Sequence, residues 1–214
     1  MSLPDPFFVY PLLDTATLER LDLKPVAAAG AILEGGARIL QYRRKSFWGR
    51  EAFAEAEQIA RLCREADAIF IVNDRADYAR LLGAGLHLGQ EDLLPADARI
   101  VVGAAPVIGF STHNGAQMEA AQSYPVDYVA FGPVFRTTTK ERPDPATGIG
   151  GLRHVRTLTR LPLVAIGGIT RDNAGACREA GADAVAVVAD LYPNPCTKQA
   201  LRERMAEWNR ICKG

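Results

Sequence analysis

The chain predicts an α/β fold, a single-domain (β/α)8 TIM barrel over residues 1–214. Three observations point there. Short β-rich apolar runs alternate with helical patterns along the chain, and eight such runs can be read. The runs are largely continuous rather than strictly alternating, which suits parallel strands buried on both faces. Eight strand–helix units in 214 residues fit the compact end of the barrel's range, which starts at roughly 200 residues. An open doubly wound sheet is the competing architecture, but it opens with a glycine-rich turn after its first strand. Here the first run ends in Leu13-Asp14-Thr15. No linker, low-complexity stretch or long like-charge block divides the chain.

In order, the expected strands are Phe7–Leu13, Arg38–Tyr42, Ala68–Val72, Leu86–Leu88, Val107–Phe110, Tyr128–Phe131, Leu163–Ile166 and Ala184–Val188. Helices stand out by spacing. Ala52, Phe53, Ala56, Ile59, Ala60 and Cys63 recur every three or four residues, as one buried helix face requires. Leu93 to Gly103 is the weakest helix, one or two turns long. Ala174, Cys177 and Ala180 form a smaller stripe that stops at Gly181, and Leu201, Met205, Trp208, Ile211 and Cys212 form the last helix face.

Composition narrows the function. Hydrophobic residues make up 48% of the chain, and 25 Lys+Arg balance 25 Asp+Glu, so no global basic field argues for nucleic acid. No apolar run approaches the roughly 20 residues that span a bilayer, and the first residues lack a basic-then-apolar signal pattern. Cys63, Cys177, Cys196 and Cys212 have no CxxC or metal-type spacing, and the first two lie on apolar helix faces. A reducing, cytoplasmic setting is the expectation.

Barrel active sites lie at the C-terminal ends of the strands, so the residues after each apolar run are the test. They are Gln41-Tyr42-Arg43-Arg44-Lys45, Asn73-Asp74, Gly89-Gln90-Glu91-Asp92, Ser111-Thr112-His113-Asn114, Thr137-Thr138-Thr139-Lys140, Gly167-Gly168 and Val188-Ala189-Asp190. Polar groups thus converge on one rim. Arg43 and Lys45 alternate along one strand, so both point toward the mouth, where paired cations favour a polyanion. Asp74 and Asp92 offer hard oxygens to magnesium (Mg2+), which takes one or two carboxylates and leaves its other positions to water and phosphate. Helix capping or a salt bridge to Arg43 would equally occupy these aspartates. Gly167-Gly168 lets backbone amides approach a ligand closely, and the loops after strands 7 and 8 often bind phosphate. Two anion sites emerge: Arg43, Lys45 and Lys140 with the metal, and the threonines with the glycine amides. Ser111 and His113 make a poor hydrolase triad, having no acid nearby in sequence. His87 reads as a hydrogen-bonded core histidine and His154 as a helix-surface residue. Phe47 and Trp48 read as packing residues.

These pieces are similar to those of thiamine phosphate synthases. The likeness runs from about Ile39 to Leu191 and rests on QYRRK (41–45), IVNDRAD (71–77), GLHLGQEDL (85–93), GFSTHN (109–114), FGPVFRTTTK (131–140), VAIGGIT (164–170) and AGADAVAVV (180–188). The resemblance implies a barrel that joins two phosphorylated small molecules, a pyrimidine diphosphate and a thiazole phosphate, with magnesium as cofactor. It implies that Gln41, Arg43, Lys45, Asn73 and Lys140 hold the diphosphate, that Ser111 lies beside the pyrimidine, and that Asp74 and Asp92 bind the metal. Thr137, Thr138, Thr139 and Gly168, with the backbone at Val188 and Ala189, would hold the thiazole phosphate. Arg43, Lys45, Ser111 and Lys140 would act on the reacting groups. Residues 136–149, rich in Pro, Gly and charge, are expected to close as a lid.

The chain departs from the pattern in its first strand, and at Arg44, Arg136 and Ala189, where an acid, a proline and a serine are common. A thiazole tautomerase on the same barrel is one alternative, with His113 as its acid and base. A non-catalytic phosphate-ligand barrel is another. Self-association into a homo-oligomer is left open.

Overall fold

The computed structural model describes residues 3–4, 7–137, 139 and 144–213. Its strands are β1 (Phe8–Asp14), β2 (Ile39–Arg43), β3 (Ile69–Asn73), β4 (Gly85–Leu88), β5 (Ile108–Thr112), β6 (Tyr128–Phe131), β7 (Leu163–Ile166) and β8 (Ala184–Val187). Every neighbouring pair is parallel and β1 pairs with β8, so the sheet closes into a barrel in chain order. The helices are α1 (Thr15–Arg20), α2 (Pro25–Glu34), α3 (Arg50–Glu65), α4 (Ala76–Leu82), α5 (Pro95–Val102), α6 (Gly115–Ala121), α7 (Gly148–Leu158), α8 (Ala174–Glu179) and α9 (Lys198–Lys213).

All eight expected strands form, but four run further toward the rim than their apolar runs do. Asp14, Arg43, Asn73 and Ser111-Thr112 belong to the ladder. Backbone pairing is indifferent to side-chain polarity; Asp14, Arg43, Asn73 and Ser111 take the inward parity, while Thr112 takes the other, is buried, and donates to the Ala130 carbonyl at 3.0 Å. The short helix expected near Leu93–Gly103 is α5. Sequence spacing did not single out α2, whose apolar residues lie nearly all round it. It starts at Pro25, where a missing N–H costs nothing. Ala28, Ala29, Ala31, Ile32 and Leu33 bury its surface against β1, α3 and α9.

The strands separate two apolar layers. Inside the barrel lie Tyr10, Leu12, Ile39, Ile69, Ile71, Val107, Tyr128, Ala130, Val164, Ala184 and Ala186. The outer faces of the strands pack with the helices in a second, larger core. Because strand side chains alternate faces, the inward residues can be followed upward: Ile39, Gln41, Arg43; Ile69, Ile71, Asn73; Val107, Gly109, Ser111. Each series starts apolar and ends polar, so the barrel floor is greasy and its mouth is wet. Trp48 is buried against Tyr42 and Tyr78, as expected of a packing residue. Phe47 is not one, for it is 85% exposed. Chain direction reverses into α3 here, and only one of two adjacent aromatics can face the core.

Candidate active site

The rim between β1 and β4 holds the charged part of the site. Asp14 and Arg43 are register partners across β1 and β2, and the Arg43 guanidinium donates to the buried Asp14 carboxylate. Asp14 also accepts from the Thr17 amide at 2.9 Å and so caps α1. One β-strand over, Lys45 Nζ donates to Asp74 Oδ2 at 2.5 Å. Asp74 follows β3 directly and has a left-handed backbone, φ 67°, a conformation that aspartate tolerates better than most residues. Its amide donates to the His87 carbonyl at 2.8 Å, which ties the turn to β4. Burial is the main cause that pushes its carboxyl up to about 6, and the nearby Asp92 adds to the rise while Lys45 opposes it. Asp92 is anchored by the Gly89 amide, 2.6 Å from Oδ2.

A half-buried carboxylate whose proton affinity is raised by burial and by a second carboxylate beside it suits a cation between the two. Among the described residues no group of three or more His, Cys, Asp or Glu could hold a metal. A pair is nevertheless what magnesium needs when phosphate and water fill its other positions. Asn73 supports the same reading, because its buried Nδ2 has no hydrogen-bond partner. Such a donor is costly unless something accepts from it, and a diphosphate oxygen is a suitable acceptor.

Below this rim, a chain of hydrogen bonds crosses the barrel interior. Gln41 Nε2 donates to the Tyr10 hydroxyl at 3.0 Å, which lies 2.9 Å from the Tyr128 hydroxyl. His87 Nδ1 is 2.8 Å from Tyr128, and His87 Nε2 is 2.9 Å from Ser111 Oγ. Burial raises both phenols well above their ordinary range, so they remain neutral. The Tyr128 ring occupies the space over Gly109, where a Cβ would sit 1.9 Å from Cζ. The chain joins Gln41 and Ser111 from opposite sides of the mouth and fixes the position of each. His87 is thus the bonded core histidine expected from the sequence.

The opposite side of the same rim, after β6, β7 and β8, holds a cavity of about 720 Å3 lined by Arg136, Thr137, Thr139, Asp144, Pro145, Ala146, Gly168, Ile169, Thr170, Ala189 and Asp190. Its wall is built by extending the sheet. The Val134 amide donates to the Ile166 carbonyl at 2.8 Å and Phe135 to Gly167 at 3.0 Å, so the strand-6 loop lies along the end of β7. This approach requires glycine at 168, where φ is +62° and a Cβ would sit 2.3 Å from the Arg136 carbonyl. Asn173 holds the loop, accepting from the Thr170 amide at 2.8 Å and donating to the Gly168 carbonyl at 3.0 Å.

The structure therefore brings Lys45, Asp74 and Asp92 together, unites Gln41 with Ser111 through the polar chain, and gathers Thr137, Thr139, Gly168 and Ala189 round one cavity. Arg43 stands beside the first group but engages Asp14. The side chain of Val188 packs into the cores instead of lining the cavity. Thr138 and Lys140, and residues 141–143 of the expected lid, lie outside the described residues. The end of that segment is the anchored start of α7, with the Thr147 amide on the Pro133 carbonyl at 2.9 Å. His113 is absent from the cavity wall; its Nδ1 lies 2.6 Å from the Gly132 carbonyl. His154 is exposed, as expected.

Sequence reasoning passed over Asp14, Tyr10 and Tyr128. Inward parity was the available signal. Tyr10 and Asp14 share the inward face of β1, but a tyrosine in an apolar run reads as packing. Arg136, Asp144, Thr170 and Asp190 were likewise not assigned to the cavity, because only the loop path shows which side chains reach it.

Comparison with known proteins agrees with this geometry. The family model for thiamine monophosphate synthase matches residues 10–191. The chain is 45% identical over 184 residues to a thiamine-phosphate synthase of Koribacter versatilis, covering 86% of this chain and 84% of the relative. It is 41% identical over 206 residues to one from Nitrosococcus oceani, covering 94% of each. The solved thiamine phosphate pyrophosphorylase of Pyrococcus furiosus superposes with a TM-score of 0.82 at 31% identity, covering 96% of this chain and 95% of that one. A match of that extent, on a closed barrel with its polar groups at one rim, means that this chain belongs to the thiamine monophosphate synthase family.

Proposed function

We propose that this barrel is a thiamine-phosphate synthase that joins 4-amino-5-hydroxymethyl-2-methylpyrimidine diphosphate to 4-methyl-5-(2-hydroxyethyl)thiazole phosphate, releasing pyrophosphate. One observation carries the reading. A cation and two carboxylates share a barrel mouth with a second cavity lined by threonines and a glycine, so there is room for two phosphorylated substrates.

The Lys45 ammonium, the Arg43 guanidinium and the Asn73 amide would bind the diphosphate, with Lys140 joining them. Asp74 and Asp92 would hold magnesium, whose charge would offset that developing on the departing pyrophosphate. Gln41 and Ser111, fixed by the Tyr10–Tyr128–His87 chain, would orient the pyrimidine. Its amino group feeds electrons toward the methylene as the carbon–oxygen bond breaks. The thiazole nitrogen then supplies the electron pair for the new carbon–nitrogen bond. Thr137, Thr138, Thr139 and the amides near Gly168 and Ala189 would hold the thiazole by its phosphate, in line with that carbon. No protein nucleophile is needed; the work is positioning and exclusion of water. A reducing, cytoplasmic setting fits the four cysteines, all free thiols.

The test is incubation with both substrates and magnesium, with products read by mass spectrometry. Thiamine phosphate and pyrophosphate in equal amounts are expected. Isomerised thiazole alone, or binding without turnover, would overturn the proposal.

A further inference from the structure

The cavity assigned to the thiazole phosphate has two carboxylates on its wall, Asp144 and Asp190. A carboxylate that faces a bound phosphate repels it, and the repulsion is strongest where water screens least. Asp144 is half-exposed, but the side chain of Asp190 is only 16% exposed. Asp190 has a specific partner. Arg171 Nε donates to Asp190 Oδ2 at 3.0 Å, while Arg171 Nη1 donates to Glu207 Oε2 at 2.7 Å. Arg204 completes the group: Nη1 donates to the Asp190 carbonyl at 2.6 Å, and Nε lies 3.4 Å from Glu207 Oε2. Two guanidinium groups and two carboxylates thus form a neutral cluster. It ties the β7–α8 loop, the turn Ala189–Leu191 and α9 together behind the cavity.

Arg171 is not itself on the cavity wall. It reaches the cavity only through Asp190, and the two loops it joins are those that carry Gly168 and Ala189. We propose that Arg171 is a positioning residue that masks the Asp190 charge, and so sets the affinity of the neighbouring cavity for the phosphate of the thiazole substrate. This rests on the functional reading above. It assigns a role to the residue that immediately follows the VAIGGIT stretch's end at Thr170, and it explains how an acid is tolerated in a phosphate cavity. The masking is electrostatic and therefore separable from bracing. Removing the Asp190 charge as well should undo the harm of losing Arg171.

The experiment compares the full-length wild type with Arg171→Gln, Asp190→Asn and the double variant, after thermal melts establish that each folds. Arg171→Gln should raise KM for thiazole phosphate roughly tenfold, with kcat and KM for the pyrimidine diphosphate within about twofold. Asp190→Asn should lower the thiazole phosphate KM, and the double variant should recover most of the loss. A double variant as poor as Arg171→Gln, or an Arg171→Gln indistinguishable from wild type, overturns the masking role. Calorimetric titration of the same proteins with inorganic phosphate checks the order of affinities without turnover. A wild type that fails to make thiamine phosphate overturns the functional reading, while the phosphate titration still decides the role of Arg171.

Discussion

Replacing Asp74 by asparagine should make the metal-free protein more stable and the enzyme inactive. Asp74 sits with its side chain 18% exposed, near a second carboxylate. Burial and Asp92 together move its carboxyl from 3.8 to about 6 despite the Lys45 ammonium at 2.5 Å. At about 1.4 kcal/mol per pH unit, that corresponds to about 3 kcal/mol. The sign follows from proton counting. Below pH 3.8 the carboxyl is protonated folded and unfolded, and it contributes no difference. Between 3.8 and about 6 the folded chain holds more protons than the unfolded one, so stability falls as pH rises. Above the folded value the full cost is present. Asparagine keeps the shape and never ionises, so near neutral pH the variant should exceed the wild type by up to about 3 kcal/mol. For a barrel of this size that is about 6–12 °C in Tm. The assay is thermal and urea unfolding in chelator, followed by circular dichroism across the acid-to-neutral range. The two curves should converge in acid and separate toward neutrality. Added magnesium should stabilise the wild type and leave the variant unchanged, because only a bound state gains from its ligand. A variant equally or less stable at neutral pH would mean that Lys45 stabilises the carboxylate more than burial and Asp92 penalise it, and the reasoning would fail.

Three further outcomes follow from named contacts. Tyr128→Phe breaks the hydrogen-bond chain between Tyr10 and His87; steady-state kinetics should show kcat/KM for the pyrimidine diphosphate lower by roughly tenfold, with thiazole phosphate KM little changed, and urea unfolding should show a loss of about 1–3 kcal/mol. Arg43→Ala leaves the buried Asp14 carboxylate without its guanidinium; urea unfolding should show a loss of about 3–5 kcal/mol, smaller when Asp14→Ala is added. Gly168→Ala places a Cβ 2.3 Å from the Arg136 carbonyl at φ +62°; it should raise the thiazole phosphate KM by displacing the loop and cost about 1–3 kcal/mol of stability by the same assay.

Much of this site could be read from strand ends alone. Gln41, Asn73, Asp74, Asp92, Ser111 and Gly168 each follow or finish an apolar run, and in a closed parallel barrel those ends meet at one rim. Less legible were contacts that depend on register. The pairing of Asp14 with Arg43 needs their positions across β1 and β2. The link from Gln41 to Ser111 passes through residues of β1, β6 and β4, none adjacent in the chain. Asp190 stood among the rim residues in the sequence, but only α9, folding back with Glu207 and Arg204, shows that its charge is shared.

By itself, the sequence determined the fold class, the rim on which polar groups collect, and the two groups of residues there to which we assign anion binding. Apolar runs and strand ends are local properties, and closure of the barrel leaves those ends only one place to meet. The tertiary structure decided which charges are paired. It gave Asp14 to Arg43, Asp74 to Lys45 and Asp190 to Arg171. Ionic partners are chosen by distance and burial, and these are set only when strands have taken their register and helices have packed around them.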